Sequence, residues 1–188
     1  MSIKKMLLLA SMALAAIAAA APAAQAQGEW THEGEPITES KEVTFAGTVQ
    51  FTVVGSSTGV HCKNSHAVAH FLPGGKGEVT TFEGKECRGT GFLVGCTTVH
   101  PKSEGLPWPI TANTNQTGTI SEVNIVNTMT GSFCPVSSTT LTGNVIVTPD
   151  NPEETSSVTL SGTVMTSQGE AEVAGTLSVS PAGTYGIE

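Results

Sequence analysis

The sequence predicts an all-β protein, an antiparallel β-sandwich or a partly closed barrel that is held together by disulfide bonds. Segments such as 43–51, 78–82 and 120–125 alternate apolar and polar residues and are rich in Thr and Val, which fits pleated, half-buried strands. Turn-forming Gly, Pro and Asn residues separate such segments, as in 73–77 and 149–152,. No stretch beyond residue 26 keeps the apolar spacing of a helix over about 11 residues.

A short pattern recurs in four of the predicted strands: apolar, small, Gly, polar, apolar. It occupies residues 45–49, 141–145, 160–164 and 173–177. Glycine inside a strand marks a bulge or a close approach of two backbones. We interpret the repeat as a shared bend that lets the sheet curl; a row of close strand crossings that forms a ligand groove is the alternative.

Residues 1–26 have the features of a cleavable signal peptide. Lys4 and Lys5 precede an apolar run at 6–21, and Ala24-Gln25-Ala26 provides a small-residue cleavage site before Gln27,. A membrane anchor would need roughly 20 apolar residues, and this run is shorter and consists mostly of alanine. No second apolar run follows it, so we expect a secreted, extracellular protein without a membrane span.

Two regions remain after the signal peptide. Residues 27–42 carry five glutamates and are predicted to form an acidic N-terminal arm, with Trp30 docking onto the main domain,. Residues 43–188 are predicted to form a single β-sandwich domain. Without Lys4 and Lys5, the eight basic residues become six against 16 acidic ones, a formal charge of −10, which disfavours nucleic acid as a partner.

Four cysteines in an exported chain predict disulfide bonds: Cys62, Cys87, Cys96 and Cys134. Disulfides suit a domain whose few aromatic residues leave its core to Val, Ile, Leu and Thr. Four cysteines allow three pairings. Cys62–Cys87 and Cys96–Cys134 are favoured because each pair closes a local segment, and none of the four is predicted to be a reactive thiol.

No residue set predicts catalysis, a cofactor or a metal site. Residues 55–59 match the nucleophile pattern of hydrolases, but a strand follows where a helix is required, so a hairpin loop is the better interpretation. The histidines invite a zinc site, yet on a strand His66 and His70 lie about 13 Å apart, too far to share one ion. The other two histidines of this region, His61 and His100, are interpreted as surface residues in the same way. Glutamates at alternating positions are interpreted as a solvated face. The protein is predicted not to be an enzyme.

Trp108 is the one candidate ligand contact. It lies between Pro107 and Pro109, and proline restricts both its own backbone and the residue before it. The ring could be an exposed platform for a sugar or an apolar chain. A buried plug is the favoured interpretation, because tryptophan is usually largely buried.

The order of these features resembles the PraA/PraB-type small secreted proteins. It consists of a signal peptide, a strand ending in Cys62, a cysteine before Leu106-Pro107-Trp108, and then 131–134 followed by Thr/Gly strands. A group of uncharacterised exported proteins of soil actinobacteria, which share the start at 30–34, is more similar still. The resemblance implies an extracellular activator of alkane oxidation, the role known from pseudomonads, and implies no catalytic residues. The extra cysteine in the segment from Cys87 to Cys96 and the acidic arm depart from the pseudomonad pattern.

Two functions follow from these expectations. The first is a secreted, non-catalytic β protein that acts at a surface or interface, in hydrocarbon dispersal, adhesion or biofilm. The alternative is a module that binds carbohydrate or another ligand through Trp108. The expected partner is therefore a hydrophobic surface or a polysaccharide.

Overall fold

The computed structural model describes residues 27–188. Within this range the chain forms twelve β-strands and a single 3-10 turn at Gly91–Leu93, so the all-β prediction is confirmed. No helix among these residues has the length and apolar character needed to cross a membrane. The predicted signal peptide, residues 1–26, lies outside the described residues and stays a prediction.

The strands, in chain order, are β1 (Trp30–His32), β2 (Glu35–Pro36), β3 (Lys41–Val53), β4 (Gly59–Leu72), β5 (Lys76–Thr90), β6 (Thr98–Ser103), β7 (Trp108–Asn113), β8 (Thr117–Thr130), β9 (Ser138–Pro149), β10 (Ser157–Thr166), β11 (Gly169–Ser180) and β12 (Tyr185–Ile187).

Strands β3 to β11 close into one eight-stranded antiparallel barrel. Apart from β6 and β7, each strand pairs with its neighbour in sequence, and β11 returns to β3, with Val173 opposite Phe51 and Val179 opposite Phe45. β6 and β7 together occupy one position in the ring, because both pair with β5 on one side and β8 on the other. The structure thus fits the barrel alternative of the prediction, and a two-sheet sandwich is not what forms.

The recurring glycines explain why the sheet curls into a barrel. Gly47, Gly143, Gly162 and Gly175 lie on β3, β9, β10 and β11, which are four adjacent strands of the barrel. A Cβ atom at Gly175 would lie 2.5 Å from the Thr48 carbonyl oxygen on the neighbouring strand. Gly162 has a φ of +143°, a conformation that side chains disfavour. Bends aligned across four strands curve the sheet, which agrees with the interpretation as a shared bend.

A small second sheet covers one end of the barrel, which we name the capped end. Its strand order is β12-β1-β2, with Trp30 opposite Ile187. The Trp30 ring stacks on Phe71, with ring centroids 4.0 Å apart, and Tyr185 meets Phe71 edge-on at 5.8 Å. The segment predicted as an acidic arm therefore contributes two strands and a buried tryptophan, and β3 begins within it, at Lys41.

The opposite end, which we name the stapled end, holds both disulfide bonds. Four connections meet there: 54–58, 91–97, 131–137 and 167–168. The barrel interior contains two clusters of buried side chains. The larger one fills the capped end and the middle, and along β9, β10 and β11 it extends toward the stapled end through Leu141, Val164 and Ala171. The smaller one lies at the stapled end and consists of Val60, Leu93, Val99, Met129, Cys62, Cys87 and Cys96.

Candidate functional site

The four cysteines form two disulfide bonds at the stapled end. Cys62 pairs with Cys87, and Cys96 pairs with Cys134; these are the two pairs that the sequence favoured. No free cysteine occurs in residues 27–188. The first bond joins the facing strands β4 and β5. The second joins two connections, 91–97 and 131–137, and so fixes the position of one relative to the other.

The disulfide between these connections holds large apolar side chains at the surface. Phe133, which precedes Cys134, is 88% exposed, and Val94, two residues before Cys96, is 73% exposed. Phe92 is 66% exposed, and its backbone N–H donates to Thr58 Oγ1 at 3.1 Å, which ties it to the neighbouring turn. We name Phe92, Val94 and Phe133 the apolar tip.

The connections at the stapled end carry no charged residue. None of 54–58, 91–97, 131–137 and 167–168 contains Asp, Glu, Lys or Arg. Acidic residues gather instead at the capped end, in the cap or in the β9–β10 connection: Glu29, Glu33, Glu35, Asp150, Glu153, Glu154 and Glu188. The molecule therefore has one acidic end and one uncharged, apolar end. Sequence reasoning missed the apolar tip, although the charge-free runs 43–62, 89–101 and 123–149 were a readable signal.

Trp108, the candidate ligand contact, is buried. Its side chain is 2% exposed, and its indole N–H donates to the Glu104 carbonyl oxygen at 2.9 Å. The ring packs at a tilt against Phe82, with centroids 6.0 Å apart. An exposed platform for a sugar ring therefore does not exist at this position. Any ligand that Trp108 touches would have to lie inside the barrel.

The interior contains a cavity of about 80 Å³. Apolar side chains make up nearly all of its wall, including both tryptophans, Trp30 and Trp108, together with Phe71 and Ile125. Among residues 27–188, no charged side chain lines it. A wall of this kind favours apolar groups over water.

The candidate catalytic serines and histidines do not form a common site. Residues 55–59 form the β3–β4 turn and enter β4, as expected for a hairpin loop. Ser56 Oγ accepts a hydrogen bond from the Thr58 backbone N–H at 2.9 Å, so this hydroxyl serves the turn. His66 is exposed on β4, and His70 Nε2 lies 3.7 Å from a Glu42 carboxylate oxygen. Residues 27–188 contain no group of three or more His, Cys, Asp or Glu side chains that could hold a metal ion.

A polar groove of about 460 Å³ runs along the outer wall where β5 and β6 diverge. The two strands share a single paired position, Cys87 with Val99, so their backbones separate on either side of it. The basic and histidine side chains that line the groove are Lys63, Lys85, Arg88 and His100. Glu86 also lines the groove, and Lys85 Nζ lies 3.1 Å from a Glu83 carboxylate oxygen, so the groove carries more basic than acidic side chains on an otherwise acidic chain.

The pKa values of Asp150 and Tyr185, both at the capped end, are shifted by their surroundings. Backbone N–H groups that donate to Asp150, foremost that of Ser157 and also those of Ser156 and Asn151, lower the pKa of this carboxyl. Burial raises the pKa of Tyr185, whose hydroxyl donates to the Glu42 carbonyl oxygen at 3.2 Å. Both groups secure chain connections, which indicates structural roles.

Comparison with known proteins yields one similarity. A family model described as "Alkane oxidation protein activator PraA/PraB-like" matches residues 1–187. No curated protein and no solved structure matches the chain.

Proposed function

The chain belongs to the alkane oxidation protein activator PraA/PraB-like family, and on that basis we propose that it is a secreted, non-catalytic protein that acts at an apolar surface. The family description names an activator of alkane oxidation. The surface that we assign to it is that of a liquid hydrocarbon in water. The protein would adsorb through the stapled end and leave the acidic end in water.

The apolar tip is the observation that carries this proposal. Fully burying one Phe or Val side chain contributes about 1.5–3 kcal/mol, so three side chains at one end can hold the molecule at an apolar phase. Exposed apolar groups of this size commonly mark interaction sites. Because the nearby connections carry no charge, no ion has to leave water when the tip enters oil.

The disulfide between the two connections supports the same function. Val94 and Phe133 lie beside Cys96 and Cys134 in the sequence, so the covalent bond holds both side chains at one end before any surface is met. Preorganisation of this kind reduces the conformational entropy that is lost on binding.

Export is part of the proposal, and two features support it. The N-terminal 26 residues have the charged, apolar and small-residue order of a signal peptide,. All four cysteines are paired, and disulfides persist in oxidising compartments.

Adsorption of residues 27–188, with oxidised disulfides, to hexadecane droplets in water tests the proposal. We expect the wild-type protein to lower the interfacial tension. The triple variant Phe92→Ser, Val94→Ser, Phe133→Ser should adsorb on the order of 100-fold more weakly, because each side chain loses about 1 kcal/mol of transfer free energy. Its thermal unfolding midpoint should change little, since all three side chains are exposed.

A matched control uses an exposed apolar residue of the barrel wall away from the stapled end. Ile146 is 41% exposed and lies near the capped end of β9, opposite Thr119 and Ser161. The variant Ile146→Ser should adsorb like the wild type. Equal adsorption of the tip variant and the wild type, or equal loss in both variants, would contradict the assignment to the stapled end.

Binding of an anionic polysaccharide is a second candidate function, and the outer groove favours it. Lys63, Lys85 and Arg88 line this groove, and cationic side chains bind carboxylate groups by charge-assisted hydrogen bonds. Titration with a uronate oligosaccharide should give salt-dependent binding that Arg88→Ala weakens about tenfold, while Lys41→Ala, far from the groove, leaves it unchanged. Binding that is insensitive to Arg88→Ala would exclude the groove.

A further inference from the structure

We propose that the barrel interior binds a small neutral molecule that has an apolar chain and one hydroxyl group, a short-chain alcohol. This site is separate from the apolar tip and goes beyond adsorption at a surface. The chain of the alcohol would occupy the cavity, and its oxygen would meet Asn127 and Ser65.

The cavity wall decides which part of the ligand is apolar. Residues from the cap and from all sides of the barrel line it, and these side chains are almost entirely hydrocarbon or aromatic. A cavity lined in this way stays dry and admits apolar molecules. The lining described within residues 27–188 contains no Lys, Arg or His to neutralise a charge, so a carboxylate would be buried without a partner, at high cost.

Two polar side chains face the interior just beyond this apolar wall. On β8 the inward positions run Val123, Ile125, Asn127, and on β4 Ser65 precedes Ala67 in the same way. Asn127 is fully buried and Ser65 is 2% exposed. Within the described chain, neither the amide of Asn127 nor the hydroxyl of Ser65 has a hydrogen-bond partner.

These unpaired groups decide which ligand is preferred. A buried polar group without a partner costs free energy, and in folded proteins such groups are nearly always paired. The Asn127 amide both donates and accepts. A hydroxyl group does the same and can therefore pair with it, whereas an alkane would leave it unpaired. The ligand is thus apolar at one end and neutral but hydrogen-bonding at the other.

The size of the cavity limits the length of the chain. A cavity of about 150 Å³ with a similar lining admits benzene, and the present one, about 80 Å³, is about half as large. It therefore fits a chain of a few carbons. The entrance assigned to this ligand is the cap, because no disulfide crosses it, whereas both disulfides close the opposite end.

Tryptophan fluorescence tests the proposal, because both tryptophans of the chain, Trp30 and Trp108, line the cavity. The probes are 1-butanol, n-pentane and butyrate, added separately to oxidised residues 27–188. We expect saturable emission shifts with 1-butanol, about tenfold weaker binding of n-pentane because the polar groups stay unpaired, and no binding of butyrate. Asn127→Leu keeps the branched shape of the side chain without its polar atoms and should remove the preference for 1-butanol.

Two further variants complete the experiment. Ala69→Val fills part of the cavity and should weaken binding of both neutral probes, while the apolar tip keeps its adsorption to hexadecane. If it does not fold, Ala67→Val serves the same purpose. Trp30 Nε1 is also unpaired, so Trp30→Phe is the control for the other end of the cavity.

Three results would overturn the proposal. The first is the absence of any saturable shift, which would mean that water alone fills the polar positions. The second is equal binding in the wild type and in the cavity-filling variant. The third is loss of the alcohol preference in Trp30→Phe but not in Asn127→Leu. None of these depends on whether the protein adsorbs to oil, so failure here and failure of the proposed function are distinguishable.

Discussion

The two ends of the barrel are closed by different physical means. At the capped end, a small sheet buries Trp30, Tyr185 and Ile187 against the main cluster, and backbone hydrogen bonds attach it. At the stapled end the cluster is small, and three of its seven members are cysteines. Covalent bonds there take the place of burial, which leaves Phe and Val side chains free to face outward.

The comparison shows how a domain with few aromatic residues can expose three large apolar side chains and stay folded. If these side chains were buried at the stapled end, they would add to its core. The disulfides hold the connections in place without them. We infer that the stapled end gives up hydrophobic stabilisation for surface activity, whereas the capped end is specialised for stability.

Of the changes that distinguish the two ends, reduction of both disulfides should lower the free energy of unfolding the most. The two bonds close loops of 25 and 38 residues, and a disulfide of this span contributes about 3–4 kcal/mol by restricting the unfolded chain. The free energy of unfolding, measured in urea with and without reductant, should fall by about 7 kcal/mol. This is a large part of the 5–15 kcal/mol typical of a domain.

Hydrogen exchange would show where reduction acts. In mild reductant, the amides of 91–97 and 131–137 should lose protection before those of β1 and β12. The converse order, or simultaneous loss at both ends, would contradict a division of labour between them.

Trp30→Ala, at the capped end, should cause the next largest loss in the free energy of unfolding. The change removes a ring that is 3% exposed and stacked on Phe71, and truncation of a buried aromatic costs about 3–5 kcal/mol. Urea unfolding of the variant measures the loss, and Trp30→Phe is the matched control because it retains part of the stack. A loss below about 1 kcal/mol in Trp30→Ala would mean that the cap adds little to stability.

Sequence reasoning predicted the strands well because their signal is local. Alternating Thr and Val residues directly indicate a pleated strand, and the glycine repeat indicates a bend. Closure into a barrel was not decided, because it depends on the pairing of β11 with β3, and Val173 and Phe51 are far apart in sequence. The strands of the cap were not predicted for the same reason. The strand Trp30–His32 is too short to show an alternating pattern, and its partner Tyr185–Ile187 is at the far end of the chain.

The candidate sites divide in a similar way. Trp108 was singled out by its neighbouring prolines, but its burial depends on side chains that other strands supply. Phe92, Val94 and Phe133 look like ordinary core residues in sequence. Their exposure follows from the disulfide and the turns around it, which only the folded arrangement shows. Asn127 gave no signal either, because an Asn on a strand usually faces solvent.

Asp150→Ala should have the smallest effect and sharpens the comparison at the capped end, because it removes polar rather than apolar support. One carboxylate oxygen, Oδ1, accepts three backbone hydrogen bonds, each of 3.0 Å, from Asn151, Ser156 and Ser157. We expect a loss of about 1 kcal/mol near neutral pH, measured by urea unfolding. These hydrogen bonds lower the pKa of Asp150 below the value of 3.8 that is ordinary for an aspartate side chain. The contribution is therefore complete above the unfolded-state pKa and is lost as the pH falls through the lower folded-state value. The difference in the free energy of unfolding between wild type and variant should accordingly become smaller below about pH 4.

The control is Glu154→Ala, which removes an exposed carboxylate from the same connection. Its difference from the wild type in the free energy of unfolding should not become smaller in this way. A difference that stays constant down to pH 2 would mean that Asp150 supports the connection by its shape alone and not by its charge.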